Sequence, residues 1–198
     1  MSKKLYIADT HFGHENIIRF DDRPFNGLDE MHTIMIDKWN AVVRPDDDVF
    51  IAGDFAYKLK PNLLRVLSGC LNGRKHLAWG NHDKRNEDLY MGFVEFGDLL
   101  VTQDYVGNTP VRVVISHYYM PFFSGARLGS YLMYGHTHKG TDYDMEERIK
   151  QQLSRLGLSG PAYNVGCMHQ YYYPMTLEQI VDRKKKEEEL RKAEKYNA

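Results

Sequence analysis

The sequence predicts an α/β protein, and three observations predict it. Short apolar runs alternate with helical patterns through the first half, in the order strand, helix, strand, helix, strand. Each of those runs ends at a chemically loaded stretch: Asp9-Thr10-His11, Gly53-Asp54, and Trp79-Gly80-Asn81-His82-Asp83. The second half repeats the habit at Ser116-His117 and Gly135-His136-Thr137-His138. Such alternation argues for parallel βαβ units, whose ligands usually sit at the carboxyl ends of the strands.

Taken in order, Leu5-Tyr6-Ile7-Ala8 reads as a strand that delivers Asp9 and His11 at its end. Side chains two apart on an extended backbone point the same way, so this carboxylate and imidazole can reach one ion. Residues 28–43 carry Leu28, Met31, Ile34, Met35, Trp39 and Val42 at helical spacing, and Pro45 stops the pattern. Asp48-Val49-Phe50-Ile51-Ala52 is the second strand. Residues 61–68 form a short helix with Pro61 in its first turn and Gly69 just past its end. Lys75-His76-Leu77-Ala78 is the third strand and leads into Trp79.

Further on, Val111-Arg112-Val113-Val114-Ile115 is strongly β-branched and ends at Ser116-His117. Residues 118–129, with Pro, Gly and aromatics, read as a loop walling the site, and Tyr131-Leu132-Met133-Tyr134 as another short strand. Met145, Ile149, Leu153 and Leu156 mark an amphipathic helix closed by Gly157, and Ala162-Tyr163-Asn164-Val165 a last buried strand. Thr176 and Gln179 form a capping box for a terminal helix, charged from Asp182 onward, solvated through i,i+4 pairs and fraying toward Ala198.

At 198 residues the chain is expected to form one domain with its own core. With 42% hydrophobic and 27% charged residues it has an ordinary globular composition. A net charge of −1 supplies no global field for a long nucleic acid. Cys70 and Cys167 form no CxxC pair, which suits two free thiols in a reducing cytosol. Neither a leader pattern nor a bilayer-length apolar run stands in the sequence, so a cytoplasmic location, no membrane and no obligate protein partner are expected.

The loaded stretches together supply Asp9, His11, Asp54, Asn81, His117, His136 and His138. Imidazole and carboxylate without thiolate suit Mn, Fe, Zn, Co or Ni, and argue against Cu(I) or iron–sulfur chemistry. Seven ligands exceed one four-coordinate zinc and suit two ions sharing a carboxylate, about 3.5–4 Å apart. The cofactor expectation is therefore two divalent transition-metal ions, Mn foremost.

In this order, Asp9-x-His11, Gly53-Asp54, Gly80-Asn81-His82-Asp83, His117 and Gly135-His136-x-His138 resemble the calcineurin-like metallophosphoesterase superfamily, in its small bacterial or phage-type form. The resemblance runs from Asp9 to His138 and extends to Asn164-Val165-Gly166. It implies a four-layer α/β/β/α sandwich of two mixed sheets, with a dinuclear site at the strand C-terminal ends. One ion would take Asp9, His11, Asp54 and His138; the other would take Asp54, Asn81, His117 and His136, with Asp54 as the bridge. The implied activity is hydrolysis of a phosphodiester or phosphomonoester, a nucleotide among the candidates, by in-line attack of a metal-bridging hydroxide. His82 would assist the leaving group, a role typically worth about 10²–10⁴ in rate.

Two positions depart from the pattern. Tyr57 stands where protein phosphatases carry the Asp that pairs with this His, so His82 is expected either to take Asp83 as its catalytic partner or to act without one. Met168 stands where relatives often carry Asp, two residues after Gly166. Rival functions are a nuclease or cyclic-nucleotide phosphodiesterase acting on RNA ends, and a non-catalytic metal-bound scaffold.

Other residues carry two readings each. Asn81, His82 and Arg23 are assigned to substrate binding, an Arg fork suiting a phosphate oxygen, while surface salt bridges in a loop are the plainer reading of Arg19 and Arg23. His14 either starts a helix over residues 15–20 or lines the site. Tyr118-Tyr119 and Tyr171-Tyr172-Tyr173, with His169, are either stacking platforms or core and rim aromatics; His32 and His76 read as hydrogen-bonded structural histidines.

Overall fold

The structure is a computed structural model that describes residues 2–196. In chain order the elements are β1 (Lys4–Ile7), α1 (Glu15–Phe20), α2 (Leu28–Val42), β2 (Asp48–Ala52), α3 (Pro61–Gly69), β3 (Arg74–Ala78), β4 (Phe93–Gly97) and β5 (Leu99–Val106). There follow β6 (Thr109–Ser116), β7 (Tyr131–Tyr134), α4 (Thr141–Arg155), β8 (Ala162–Asn164), β9 (Met175–Thr176) and α5 (Leu177–Tyr196).

The strands form two mixed sheets, so the chain is α/β. The first has the order β4-β3-β2-β1-β9, parallel except for β9, and the second the order β5-β6-β7-β8, parallel except for the β5–β6 hairpin. In the first sheet Ile7 pairs with Ile51, and Ala52 with Ala78. The three strands therefore end nearly level and release Asp9, Asp54 and Asn81 along one edge. Beyond β1, Ala8 bridges Gly166 of the second half, which ties both sheets together at that edge.

Alternation along the strands sorts two cores. Leu5, Ile7, Val49, Ile51 and Leu77 turn to one face and pack with Met31, Met35 and Trp39 of α2 and Leu64 and Leu67 of α3. Tyr6, Phe50, Ala52 and Ala78 turn to the other, where they meet Val113, Ile115 and Met133 of the second sheet and Leu177 and Ile180 of α5. Burying one such large side chain contributes roughly 1.5–3 kcal/mol. Val114, Leu132 and Tyr134 face outward from the second sheet onto Phe123 and Ala126.

The capping box forms as expected: the Thr176 N–H donates to Gln179 Oε1 (2.9 Å) and the Gln179 N–H to Thr176 Oγ1 (3.3 Å). The expected fraying at Ala198 lies outside the described residues. Among the described residues no helix is long and apolar enough to cross a membrane.

The orientation of α4 corrects the sequence reading. Its stripe exists, but Met145 is 56% and Leu156 63% exposed, while Glu146 is buried. The inward position goes to Glu146 because its carboxylate accepts from Tyr134 Oη (2.6 Å) and Thr137 Oγ1 (2.9 Å), partners that an aliphatic chain could not satisfy.

Candidate metal centre

Backbone conformation marks the site first. Asp9, His11, Asp54 and His136 all adopt positive φ, of 56°, 50°, 53° and 74°. Left-handed backbone in residues other than glycine costs about 1–3 kcal/mol each, and clusters where surrounding structure holds side chains to a task. The loops after β1 and β2 hold each other in this shape: the Asp9, His11 and Phe12 N–H groups donate to the Gly53, Asp54 and Phe55 carbonyls at 3.0, 2.9 and 2.9 Å. Gly80 permits a close approach, since a Cβ there would stand 2.2 Å from Asp54 Oδ1.

Two groups of three donors that could hold a metal ion result: Asp9, His11 and His138, and Asp9, Asp54 and His117. Asp9 belongs to both. Asp54 Oδ2 lies 3.5 Å from His11 Nε2 of the first group and 3.5 Å from His117 Nε2 of the second. Asn81 joins the second side, with Oδ1 2.9 Å from His117 Nε2. The His136 ring stands 5.0 Å from that of His117 and is in neither group, although its backbone N–H donates to both Asp9 oxygens at 3.1 Å.

The hydrogen bonds fix where the lone pairs point. His117 Nδ1 lies 3.0 Å from the Ala52 carbonyl, which can only accept, so the proton is on Nδ1 and Nε2 faces the Asn81 oxygen as a second acceptor. His138 Nδ1 donates likewise to Asp21 Oδ1 (2.8 Å), which turns its Nε2 toward His11 Nε2 at 3.3 Å. Facing acceptors at these distances repel unless a proton or a metal ion lies with them. The donor chemistry thus fits divalent ions.

Electrostatics agree. Burial opposes charge on His138, but hydrogen bonds to Asp21 and Asp9 prevail and push its pKa up to about 10. Burial and the neighbouring His138 hold His11 far below the usual imidazole range, and burial raises Asp54. Positive charge is thus favoured in the middle of the cluster.

Two residues expected at the chemistry have other work. Arg23 is 4% exposed and meets no phosphate: it donates to the Asp9 and Thr10 carbonyls (2.9 and 3.0 Å) and through Nε and Nη2 to Asp21 Oδ2 (3.0 and 2.9 Å). That buried network corrects both the phosphate-fork and the surface salt-bridge readings. Asp83 does not orient His82: Oδ2 accepts from the Asp54 and Gly80 N–H groups (both 2.9 Å), and Oδ1 from Phe55 and Ala56 (2.9 and 3.3 Å). Burial pushes Asp83 up to about 6 despite those bonds.

His82 is packed by rings instead. Its side chain is 34% exposed, with Nε2 3.9 Å from Asp54 Oδ2, and Tyr57 meets the ring edge-on with centroids 4.9 Å apart. His14 both precedes α1 and lines the site, 4.2 Å from the Tyr57 ring and with Nδ1 3.5 Å from His11 Nδ1. Arg19 is exposed and lies over Phe20. Tyr172 packs on Phe25, Tyr119 against Tyr134, and His169 on Tyr143, while Tyr171 is exposed. His32 accepts from the Gly13 N–H, and His76 pairs with Asp48 and Glu95, as structural histidines do.

Sequence reasoning missed Asp21, the partner of His138, because 117 positions separate them and Asp21-Asp22-Arg23 looks like any charged loop. It read Tyr118 only as an aromatic, whereas Tyr118 Oη donates to Asn81 Oδ1 (3.4 Å) and its ring packs on His136 (4.6 Å).

The chain is 45% identical over 87 residues, 43% of its own length and 49% of the other's, to the uncharacterized protein MJ1445 of Methanocaldococcus jannaschii. It is 29% identical over 85 residues, 42% of its length and 41% of the other's, to the gene 66 protein of Mycobacterium phage L5. The chain thus spans half or less of the length of these curated relatives. No family model matches it. A protein of unknown function from Aquifex aeolicus has a solved structure that superposes with a TM-score of 0.64 at 24% identity, covering 92% of this chain and 99% of that one. At that identity the likeness concerns the fold alone.

Proposed function

We propose that this chain is a dinuclear-metal phosphoesterase of the calcineurin-like type, hydrolysing a small phosphodiester or phosphomonoester in the cytoplasm. The observation that carries the reading is the Asp54 carboxylate, equally distant from a histidine nitrogen of each donor group. Asp9, His11, Asp54 and His138 would hold one ion, and Asp54, Asn81, His117 and His136 the other. Two sheets facing across a shared core, with α2 and α3 on the far side of the first, fit the four-layer sandwich of that family.

Bound divalent ions supply an activated water and neutralise the phosphoryl oxygens that would repel it. The side chains do the rest. Asp9 and Asp54 bring the negative charge that selects cations, and left-handed backbone at both aims their carboxylates inward. His82, beside the donors yet open to solvent, with Nε2 3.9 Å from Asp54 Oδ2, would serve as the acid that assists the departing oxygen. Tyr57 and His14 restrict its ring where a carboxylate would otherwise orient it.

Turnover of bis-p-nitrophenyl phosphate with added Mn²⁺ tests the proposal. Wild-type protein is expected to turn it over. His82→Ala should keep its ions and lose about 10²–10⁴ in rate, with the larger loss on poor leaving groups. Inactivity on this diester and on monoesters, across Mn, Fe, Ni and Zn, would sink the proposal in favour of a metal-bound scaffold.

A further inference from the structure

We infer that Asp21 and Arg23 form a buried positioning pair that makes the Asp9–His11–His138 side the tighter of the two ion sites. The inference rests on the two-ion reading above and adds residues that no part of that reading uses.

Asp21 is 3% exposed and lies in the turn after α1, with both oxygens committed. Oδ1 accepts from His138 Nδ1, and Oδ2 takes Arg23 Nε and Nη2. Arg23 spends its other donors on the Asp9 and Thr10 carbonyls, while Lys139, next to His138, donates to the Asp21 carbonyl (3.0 Å). One guanidinium thereby steadies the left-handed main chain that aims Asp9. Through Asp21 it also steadies the ring of a histidine from the loop after β7. Two donors from opposite halves of the sequence are referred to one rigid pair.

Among the described residues the second site has looser support on its own ligands. His117 Nδ1 is hydrogen-bonded to the neutral Ala52 carbonyl at 3.0 Å, with the Asp9 carboxylate farther off at 3.9 Å. Asn81 is held by the exposed phenol of Tyr118 at 3.4 Å. An anionic partner on the far nitrogen raises the basicity of a ligating imidazole more than a carbonyl does, and fixes its tautomer and orientation. The ion beside His138 therefore binds first and more tightly.

Mn²⁺ titration of the chelator-stripped full chain, followed by calorimetry, tests this. Wild-type protein should take up two ions, and Asp21→Ala should bind the first about 10–100-fold more weakly. Asp21→Asn keeps the shape but loses the charge, so it should fall between. Leu64→Ala, a cavity in the core under α3, controls for destabilisation alone and should leave ion affinity unchanged. With one equivalent of Zn²⁺, the ring resonances of His138 should shift before those of His117. Unchanged first-ion affinity in folded Asp21→Asn, an equal loss in Leu64→Ala, or prior movement of His117 overturns the inference while leaving the two-ion reading intact. A wild-type chain that binds no ion overturns both.

Discussion

Both oxygens of Asp83 are occupied by backbone N–H groups, four in all, from Gly80 and the segment Asp54-Phe55-Ala56. Adjacency in sequence made Asp83 the natural partner of His82, yet the side chains part, and Asp83 serves the main chain that presents Asp54. Arg23 tells the same story. A residue type suggests what a side chain can bond, but which partner it reaches depends on contacts distant in sequence. Candidate ligands were legible because Asp9, Asp54, Asn81 and His117 closely follow strand ends; their hydrogen-bond partners such as Asp21 had no local signature. Asp83→Asn is expected to set an amide NH₂ against backbone donors and lose about 1.5–3 kcal/mol, the range for hydrogen bonds to a charged group. The measurement is the urea midpoint. Unchanged stability, with an altered leaving-group dependence, would return Asp83 to His82.

Strands were easier to place than faces. β2 and β7 fall where their β-branched and aromatic runs predict, and in the first sheet the level ends of β1, β2 and β3 bring the candidate ligands to one edge. β4 and the long β5 were not read, because Glu95 and Gly97 interrupt the apolar run of Phe93–Gly97 and β5 mixes polar and apolar residues, both on edge strands. The stripe on α4 shows the limit of periodicity: spacing reveals that a face exists, and only the buried Tyr134 hydroxyl and the half-buried Thr137 hydroxyl decide which face turns in. β3 and α3 share a feature with a measurable consequence. The Lys75 ammonium, from β3, is buried and donates to the Leu71 and Gly73 carbonyls (2.6 and 3.1 Å) just beyond α3, and burial pushes its pKa down to about 8. An unfolded Lys titrates near 10.4. Between those values the unfolded chain binds more protons, so folding stability should rise with pH from about 8 to about 10.4, by no more than about 1.4 kcal/mol per unit. Urea midpoints across that window should climb in wild-type protein and climb less in Lys75→Met. Parallel slopes would mean that Lys75 keeps an ordinary pKa.

At the scale of the molecule, the candidate ligands come from loops after β1, β2, β3, β6 and β7, on both sheets, and meet only when the sheets face each other. The unfolded chain has no such site, so ion binding should be linked to folding. With free ion at about 100 times its Kd, one site adds roughly 2.7 kcal/mol. For a domain of this size each kcal/mol raises Tm by about 2–4 °C, so two sites filled by Mn²⁺ should lift the chelator-stripped protein by about 11–22 °C. On the bridging assignment proposed for Asp54, which lies 3.5 Å from a histidine nitrogen of each donor group, Asp54→Ala should lose most of that rise, not half of it. Stripped Asp54→Ala should itself melt at or above the stripped wild type, because it no longer buries a carboxylate whose pKa is raised by burial, beside Asp9. Opposite signs with and without metal distinguish a bridging ligand from a structural carboxylate, for which both melting points would fall together. A full Mn²⁺ shift in Asp54→Ala would remove the bridge and leave two independent sites.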